Sequence, residues 1–111
     1  MMSSNKKYDV IWNPDSVIDL TQYVKYAKTT TNDVYDKANI LLSYRPQTNG
    51  HSVMFKGFEY DGYKWINVKN IILLYEVLEK EKIVAIEACY FANNEESAEI
   101  FYGINPKEGW D

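Results

Sequence analysis

The longest apolar runs of the sequence lie in its second half, as two segments separated by four charged residues. Residues 71–78 read IILLYEVL and residues 83–91 read IVAIEACYF, and both are rich in β-branched and aromatic residues. The charged residues 79–82 (EKEK) separate them. Continuous apolar runs of this length predict strands that are covered on both faces. The pattern therefore predicts a hairpin at the centre of a sheet.

The N-terminal part of the chain predicts a strand followed by a helix. Residues 8–12 (YDVIW) place apolar side chains at every second position, which is typical of a strand. Asn13 and Pro14 are a strong helix start, because an N-cap oxygen precedes proline at the first helical position. Apolar residues then recur at helical spacing, and we expect the helix to continue to about Lys28.

A second helix is predicted after the polar residues 29–32 (TTTN). It begins at Asp33 and carries an apolar stripe at helical spacing. It stops by Arg45, because Pro46 disfavours α geometry in the residue before it. The spacing therefore predicts two antiparallel helices joined by a short turn.

Short alternating runs and turn signals connect the helices to the central hairpin. Residues 47–52 are predicted to be a loop, and residues 53–58 and 63–68 to be strands. Residues 61–62 (DG) predict a hairpin turn between these two strands. Residues 69–70 (KN) predict the tight turn that precedes the central hairpin.

The C-terminal part predicts one more helix, capped by Asn93 or Asn94 and ended by residues 105–106 (NP). The order is then β-α-α-β-β-β-β with a short C-terminal helix. This α+β order places the two N-terminal helices on one face of an antiparallel sheet, in which the first strand pairs with a later one. The chain has 111 residues without internal repeats or a linker, so we expect a single domain over residues 1–111.

The composition narrows the class of protein. Hydrophobic residues make up 46% of the chain and aromatic residues 15%, which is ample for a core. Cys89 is the only cysteine, which excludes an intramolecular disulfide, and its position within a strand predicts a buried thiol. No segment is apolar enough to span a bilayer or to act as a signal peptide, so we expect a soluble cytosolic protein. The formal net charge of −4 is not the basic surplus that phosphate-binding proteins usually have.

Few residues indicate chemistry directly. His51 is the only histidine and lies beside a turn glycine, which favours an ordinary loop residue. With one histidine and one cysteine, neither a transition-metal site nor a cofactor is predicted. The ten tyrosines would allow stacking on nucleic-acid bases, but the alternation in residues 63–66 (YKWI) favours core packing. Lys56, Lys64 and Lys69 precede the central hairpin, and they are equally consistent with a positive strip on one sheet face and with scattered solubilising charge.

This order and several short motifs resemble the RelE/ParE superfamily of type II toxin–antitoxin toxins. The resemblance covers nearly the whole chain and is concentrated in residues 55–57 (FKG), 62–66 (GYKWI), 70–77 (NIILLYEV) and 97–102 (SAEIFY). Members of the superfamily typically show a leucine-basic-glycine step, a tyrosine-lysine-apolar strand and a C-terminal segment that ends in tyrosine. The match is one of pattern with a few identities, so it is more specific for the fold than for the activity.

The resemblance implies a cytoplasmic toxin that a cognate antitoxin protein holds inactive. Toxins of the RelE branch bind the ribosomal A site and cut mRNA by attack of a ribose 2′-hydroxyl on the adjacent phosphate. By this resemblance, Lys64 and Tyr102 are the expected catalytic residues. Arg45, Lys56 and Lys69 are the expected contacts with nucleic acid or another target.

Several positions depart from the pattern of the superfamily. The arginine expected in the central strand is Ile72, and the second lysine of the preceding strand falls at Ile66 or Asn67. The basic segment expected after the last strand is residues 92–96 (ANNEE), which are neutral and then acidic. Phe101 is an alternative match to the C-terminal tyrosine, one place earlier. Removing one electrostatic donor from a transition state commonly costs about 2.7–4 kcal/mol, so these departures predict weak cleavage.

Two other functions are compatible with the same resemblance. A ParE-like toxin would bind a protein such as DNA gyrase and would need no phosphoryl chemistry of its own. A non-toxic binding module, on a plasmid or another mobile element, would use the sheet edge or a groove to bind a partner protein. A protein partner is expected in every case, and a membrane is not.

Overall fold

The computed structural model describes residues 7–53, 55 and 57–102 of the chain. The elements in chain order are β1 (Asp9–Trp12), α1 (Pro14–Ala27), α2 (Thr31–Ser43), α3 (Pro46–Asn49), β2 (His51–Ser52), β3 (Lys64–Val68), β4 (Ile71–Leu78), β5 (Ile83–Phe91) and α4 (Glu95–Tyr102). None of the described helices combines the length and the apolar character that crossing a membrane requires.

The five strands form one sheet in the order β1-β5-β4-β3-β2. The pairs β2–β3, β3–β4 and β4–β5 are antiparallel, whereas β1 lies parallel to β5 with Asp9 opposite Ile83. The predicted α+β order is confirmed, and the later strand that pairs with the first one is β5. The sheet is antiparallel from β2 to β5 and becomes mixed through the addition of β1.

Strand β4 lies at the centre of the sheet and separates two apolar layers. The first layer, which we name the helical core, joins one sheet face to α1 and α2 through buried residues that include Leu20, Val34, Ala38, Leu42, Ile66, Val68, Leu73, Tyr75 and Cys89. The second layer, which we name the aromatic core, covers the opposite face and includes Val53, Trp65, Ile72, Leu74, Ala88 and Phe101. The prediction of a central hairpin that is covered on both faces is therefore confirmed, as is the buried thiol of Cys89.

Capping residues determine where the two long helices begin and where α1 ends. The side-chain oxygen of Asn13 accepts a hydrogen bond from the N–H of Asp15 at 2.9 Å, as predicted for the N-cap of α1. That helix ends at Lys28, which has a left-handed backbone with φ 58°. Helix α2 begins two residues before its predicted start, because the hydroxyl of Thr30 accepts from the N–H of Asp33 at 3.1 Å.

The strand predicted over residues 53–58 is wrong within the described part of that segment. The ladder with β3 ends at Ser52, and the chain then crosses the aromatic core as a loop. The aromatic side chains of this loop pack on that core: Phe55, Phe58, Tyr60 and Tyr63. Hydrogen bonds of 3.0–3.1 Å between residues three apart bend the chain repeatedly from residue 55 to residue 63. The aromatic residues thus cover the sheet from a loop and not from a strand.

Other connections also differ from the expectation. The predicted loop at residues 47–52 contains most of the one-turn helix α3 and the short strand β2. Pro46, expected only to end the second helix, starts α3 at its first position. Residues 61–62 lie within the loop that carries Phe55, Phe58, Tyr60 and Tyr63, which we name the aromatic loop. They do not form a two-residue hairpin turn. The tight turn at residues 69–70 is confirmed, because both residues have the positive φ of a type I′ turn, 52° and 68°.

The hydroxyl of Tyr75 joins β4 to α3. The Tyr75 side chain is wholly buried, and its O–H donates to the backbone carbonyl of Pro46 at 2.6 Å. Burial raises the pKa of this hydroxyl well above its ordinary value, so it remains a donor. Gly50 packs against the same hydroxyl so closely that a Cβ atom at residue 50 would overlap with it.

Tyr75→Phe should lower the free energy of unfolding by about 1–2 kcal/mol, because it leaves the carbonyl of Pro46 buried without its donor. Urea denaturation of both proteins measures the difference. Tyr26→Phe is the matched control, since Tyr26 is 61% exposed and should change stability little. Equal effects of the two substitutions would contradict a structural role for the Tyr75 hydroxyl.

An exposed polar network holds the β4–β5 turn to the start of the chain. One oxygen of Glu79 accepts from the hydroxyl of Tyr8 at 2.7 Å, and the other accepts from the amide of Gln47 at 2.7 Å. The amine of Lys82 lies 3.4 Å from Glu79 and 4.8 Å from the centre of the Tyr8 ring. The hydrogen bonds from Gln47 and Tyr8, and then Lys82, hold the pKa of Glu79 below its ordinary value of 4.5.

A carboxyl group with a lowered pKa stabilises the folded state above its unfolded-state pKa, and that contribution is lost as the pH falls through the folded-state pKa. Glu79→Gln should therefore reduce the loss of stability on acidification below about pH 4.5. The measurement is the urea midpoint at neutral and acidic pH. Glu81→Gln removes the same charge from the same turn and is the control; an identical acid response in both variants would argue against the network.

Candidate functional site

Tyr102 ends α4 and lies beside β3. Its side chain is 44% exposed, and its ring meets that of Trp65 edge-on, with the ring centres 5.2 Å apart. The side-chain nitrogen of Asn67 donates to the hydroxyl oxygen of Tyr102 at 2.8 Å. The side-chain oxygen of Asn67 accepts from the N–H of Asn70 at 3.0 Å. Asn67 therefore connects the β3–β4 turn to the end of the C-terminal helix.

The hydroxyl of Tyr102 is a hydrogen-bond acceptor in this contact. Asn67 donates to it, and the hydroxyl donates no hydrogen bond to another side chain or carbonyl of the described residues. Since a tyrosine hydroxyl has one proton to donate, that proton can be directed at a bound molecule. The arrangement thus fixes the oxygen and leaves the O–H available.

A polar cleft adjoins Asn67. It has a volume of about 490 Å³ and is formed by the connection between α1 and α2 on one side and the β3–β4 turn on the other. Its lining residues are Ala27, Lys28, Thr29, Asp33, Asn67, Lys69 and Asn70. Lys69, an expected target contact, therefore lies in a cleft that is joined to Tyr102 through Asn67.

The structure places the two expected catalytic residues on opposite faces of β3. The side chains of this strand alternate, with even-numbered residues facing the helical core and odd-numbered residues facing the aromatic core. Lys64 lies on the helical face, where its amine is 3.4 Å from the hydroxyl of Ser52. Asn67 lies on the aromatic face with Tyr102. Lys69 follows the far end of β3, so Lys64 and Lys69 do not form a strip along one sheet face.

The other two expected target contacts are not part of the cleft. Arg45 is the N-cap residue of α3 and has a left-handed backbone with φ 54°. It follows the C-terminal end of α2, whereas Asp33 in the first turn of that helix lines the cleft. A helix of 13 residues spans about 20 Å, which separates Arg45 from Lys69. Lys56 lies outside the described residues.

The start of β3 is acidic on the aromatic face. The rings of Tyr60 and Tyr63 meet edge-on with their centres 5.4 Å apart. Burial raises the pKa of Tyr63, and the carboxylates of Glu76 and Glu87 raise it further. The pKa of Tyr60 is raised by burial and then by Glu59 and Glu87. We name these five residues the tyrosine–glutamate surface. Its negative charge disfavours a phosphate group at that end of β3.

The positions that lack the expected basic residues are used for packing. Ile72 is wholly buried in the aromatic core, and Ile66 is buried in the helical core. Phe101 packs in the aromatic core at 8% exposure, so the exposed aromatic residue at the end of α4 is Tyr102. The side-chain oxygen of Asn94 accepts from a backbone N–H of α4 at 2.8 Å, as expected for the N-cap of this helix.

The chemistry of the site depends on amine, amide and hydroxyl groups. His51 lies in β2, where its ring is centred 4.6 Å from that of Trp65. Among the described residues, no three histidine, cysteine or acidic side chains are grouped so that they could hold a metal ion. Among the described residues, the site consists of the Tyr102 hydroxyl, whose O–H can still donate a hydrogen bond, and the adjacent cleft lined by two lysines.

Comparison with known structures supports the resemblance found in the sequence. No protein-family model matches the chain, and no curated protein matches its sequence. The structure is similar to a chain of the toxin–antitoxin complex RelBE2 from Mycobacterium tuberculosis, with a TM-score of 0.62 and 19% sequence identity. The similarity covers 79% of this chain and 94% of that chain. The protein has a RelE-like fold.

Two residues of this candidate site were not predicted as functional. Lys28 was assigned only to the end of the first helix, and Asn67 only to a position that lacks a lysine. The sequence carried one signal for Asn67, its spacing from Asn70. The side-chain oxygen of an asparagine can accept a hydrogen bond from the backbone N–H three residues later, at the end of a tight turn. The contribution of Lys28 depends on how the α1–α2 connection meets the β3–β4 turn, which is a tertiary contact.

Asn67→Ala should remove the side-chain hydrogen bonds that hold both the β3–β4 turn and the end of α4. Tyr102→Phe should remove only the bond at the end of α4. In Asn67→Ala, the backbone N–H of Asn70 should exchange with deuterium roughly fivefold faster than in the parent protein, because it loses its hydrogen-bond acceptor. In Tyr102→Phe the same amide should keep its protection. Hydrogen exchange followed by NMR measures both, with Asn39→Ala on α2 as the control. Unchanged protection of the Asn70 backbone N–H in Asn67→Ala would contradict the hydrogen bond by which Asn67 holds the turn.

Proposed function

We propose that this chain is the toxin component of a type II toxin–antitoxin module and that it binds a cognate antitoxin protein. The observation that supports this proposal is the RelE-like fold, which a chain of the toxin–antitoxin complex RelBE2 shares over most of its length. The proposed targets of such a toxin are cytoplasmic, so the proposal assigns the protein to the cytoplasm. The antitoxin is expected to be encoded beside it.

As the activity of this toxin, we propose ribosome-dependent cleavage of mRNA. In this reaction the 2′-hydroxyl of a ribose gives its proton to a solvent water and bonds to the adjacent phosphorus, and the bond from phosphorus to the 5′-oxygen breaks. The products are a 2′,3′-cyclic phosphate and a 5′-hydroxyl. A group that protonates the leaving 5′-oxygen accelerates this step.

Tyr102 is the residue that we propose as this proton donor. Its oxygen is held by Asn67 at 2.8 Å, and its O–H is not engaged by another described residue. Lys64 was expected to offset charge on the phosphate, but it lies on the opposite face of β3. Its role in cleavage therefore needs a test separate from that of Tyr102.

A second candidate activity is the inhibition of a protein target such as DNA gyrase by binding. It is favoured by the separation of Lys64 from Tyr102, and by the tyrosine–glutamate surface. Aromatic residues are enriched in protein interfaces, and the carboxylates around the partly buried Tyr60 and Tyr63 disfavour a phosphate group. If the protein acts by binding a protein target, neither Lys64 nor Tyr102 would take part in a chemical reaction.

Induced expression without an antitoxin should arrest bacterial growth, and co-expression of the neighbouring reading frame should relieve the arrest. If mRNA cleavage is the cause, Tyr102→Phe should reduce cleavage by at least roughly a hundredfold, because general acid catalysis is lost. Lys64→Ala should have the smaller effect. Mapping of 5′-hydroxyl ends on ribosome-bound mRNA, in a purified translation system, measures the cleavage.

The outcomes separate the candidates. Arrest that persists in Tyr102→Phe, without new mRNA ends, excludes the cleavage mechanism, and a supercoiling assay with purified gyrase then tests the second candidate. Phe is the matched replacement at position 102, because it keeps the ring contact with Trp65. Unaffected growth at high expression would contradict both toxin activities and favour a non-toxic binding module.

A further inference from the structure

The cleft beside Asn67 supports a more specific assignment. We propose that Lys28 and Lys69 form a binding site for a phosphate group of single-stranded RNA, next to Tyr102. The naming of RNA as the source of the phosphate rests on the proposed function. The capacity of the cleft to bind an anion rests on its own residues.

The lining of the cleft suits an oxyanion. Two lysine amines can pair with phosphate oxygens, and the hydroxyl of Thr29 and the amides of Asn67 and Asn70 can donate further hydrogen bonds. These donors come from two different turns, which line the same open cleft of about 490 Å³.

Both amines are available for such a ligand. Within the described part of the chain, the one ion pair joins Lys82 to Glu79, at the opposite end of β4. Asp33 is the single carboxylate among the residues that line the cleft, and it makes no ion pair with either cleft lysine. Two positive charges thus face one negative charge, and the cleft retains an excess of positive charge in a protein of net charge −4.

The backbone at both lysines is unusual for this residue type. Lys28 has φ 58° at the end of α1, and Lys69 has φ 52° in the β3–β4 turn. Glycine adopts this left-handed conformation at lower cost than lysine. Each lysine is thus anchored at a tight turn, at the rim of the cleft. This conformation also provides a useful variant, because Lys28→Gly removes the amine without straining the backbone.

The cleft and the proposed proton donor share one residue. Asn67 lines the cleft and also donates to the hydroxyl of Tyr102 at 2.8 Å. A phosphate held by Lys28 and Lys69 would therefore lie in the same cleft as the residue that holds the hydroxyl of Tyr102. The tyrosine–glutamate surface lies toward the other end of β3, which leaves the cleft end as the favourable approach for an RNA strand.

Binding is tested on the purified full-length chain by NMR titration. The probes are inorganic phosphate and a 2′-O-methylated uridine pentamer, which cannot be cleaved. Both should shift the backbone amides of Thr29, Lys69 and Asn70, and the pentamer should bind more tightly. Binding of phosphate with no gain for the pentamer would overturn the assignment of the site to RNA.

Charge variants locate the site. Lys28→Gln and Lys69→Gln should each weaken pentamer binding roughly fivefold, as expected for one partly exposed charge contact. Lys80→Gln removes the same charge at the opposite end of β4 and should change binding little. Lys28→Gly should weaken binding as Lys28→Gln does while its stability is kept or increased, which separates loss of the amine from loss of folding.

The acidic residue of the cleft gives a prediction of opposite sign. Asp33→Asn should strengthen pentamer binding, since it removes the single carboxylate from the lining. Asp36→Asn changes the charge of the same helix outside the cleft and should have little effect. Equal effects within each pair, Asp33 with Asp36 or Lys28 with Lys80, would mean that only the total charge matters and would overturn the proposal.

The proposal and the proposed function can fail separately. Pentamer binding in the cleft by a chain that does not arrest growth would refute the toxin function and leave the phosphate site established. Growth arrest by a chain whose Lys28 and Lys69 variants bind the pentamer as the parent does would refute the phosphate site alone.

Discussion

The burial of β4 between two apolar layers is the constraint on which the structure depends. The first five residues of this strand are buried, and the sheet has to be covered on both faces to exclude water from them. Helices α1 and α2 cover one face, and the aromatic loop and α4 cover the other. A loop with aromatic side chains covers much of the second face. The position of α4, and with it that of Tyr102, follows from this second layer.

The parts of the fold that could be predicted are those set by local patterns. The apolar runs of β4 and β5, the N-cap at Asn13 and the turn at residues 69–70 each carry their signal within a few residues. Residues 53–58 were predicted wrongly, because Val53 and Phe55 alternate as a strand would. Aromatic side chains that cover a core have the same sequence pattern whether a strand or a loop carries them.

The candidate site could be predicted only in part. Tyr102 was identified from a resemblance, and its exposure agrees with a role on the surface. The alternation of β3 predicts that residues 64 and 67 face opposite sides. That Tyr102 lies on the side of Asn67 is a tertiary contact, which the alternation does not predict. The cleft could not be predicted, because it exists only where the turn after α1 meets the turn after β3. No spacing along the sequence encodes that contact.

The parallel pairing of β1 with β5 has a consequence for the time at which the protein becomes active. The ribosome makes β1 first, yet its neighbour in the described sheet is the last strand to be synthesised. The apolar side chains of β1 cannot be buried against β5 until nearly the whole domain has left the exit tunnel. A chain with this topology completes its described sheet only after β5 has been synthesised and has left the exit tunnel. Any binding surface that depends on the completed sheet is therefore formed late in synthesis.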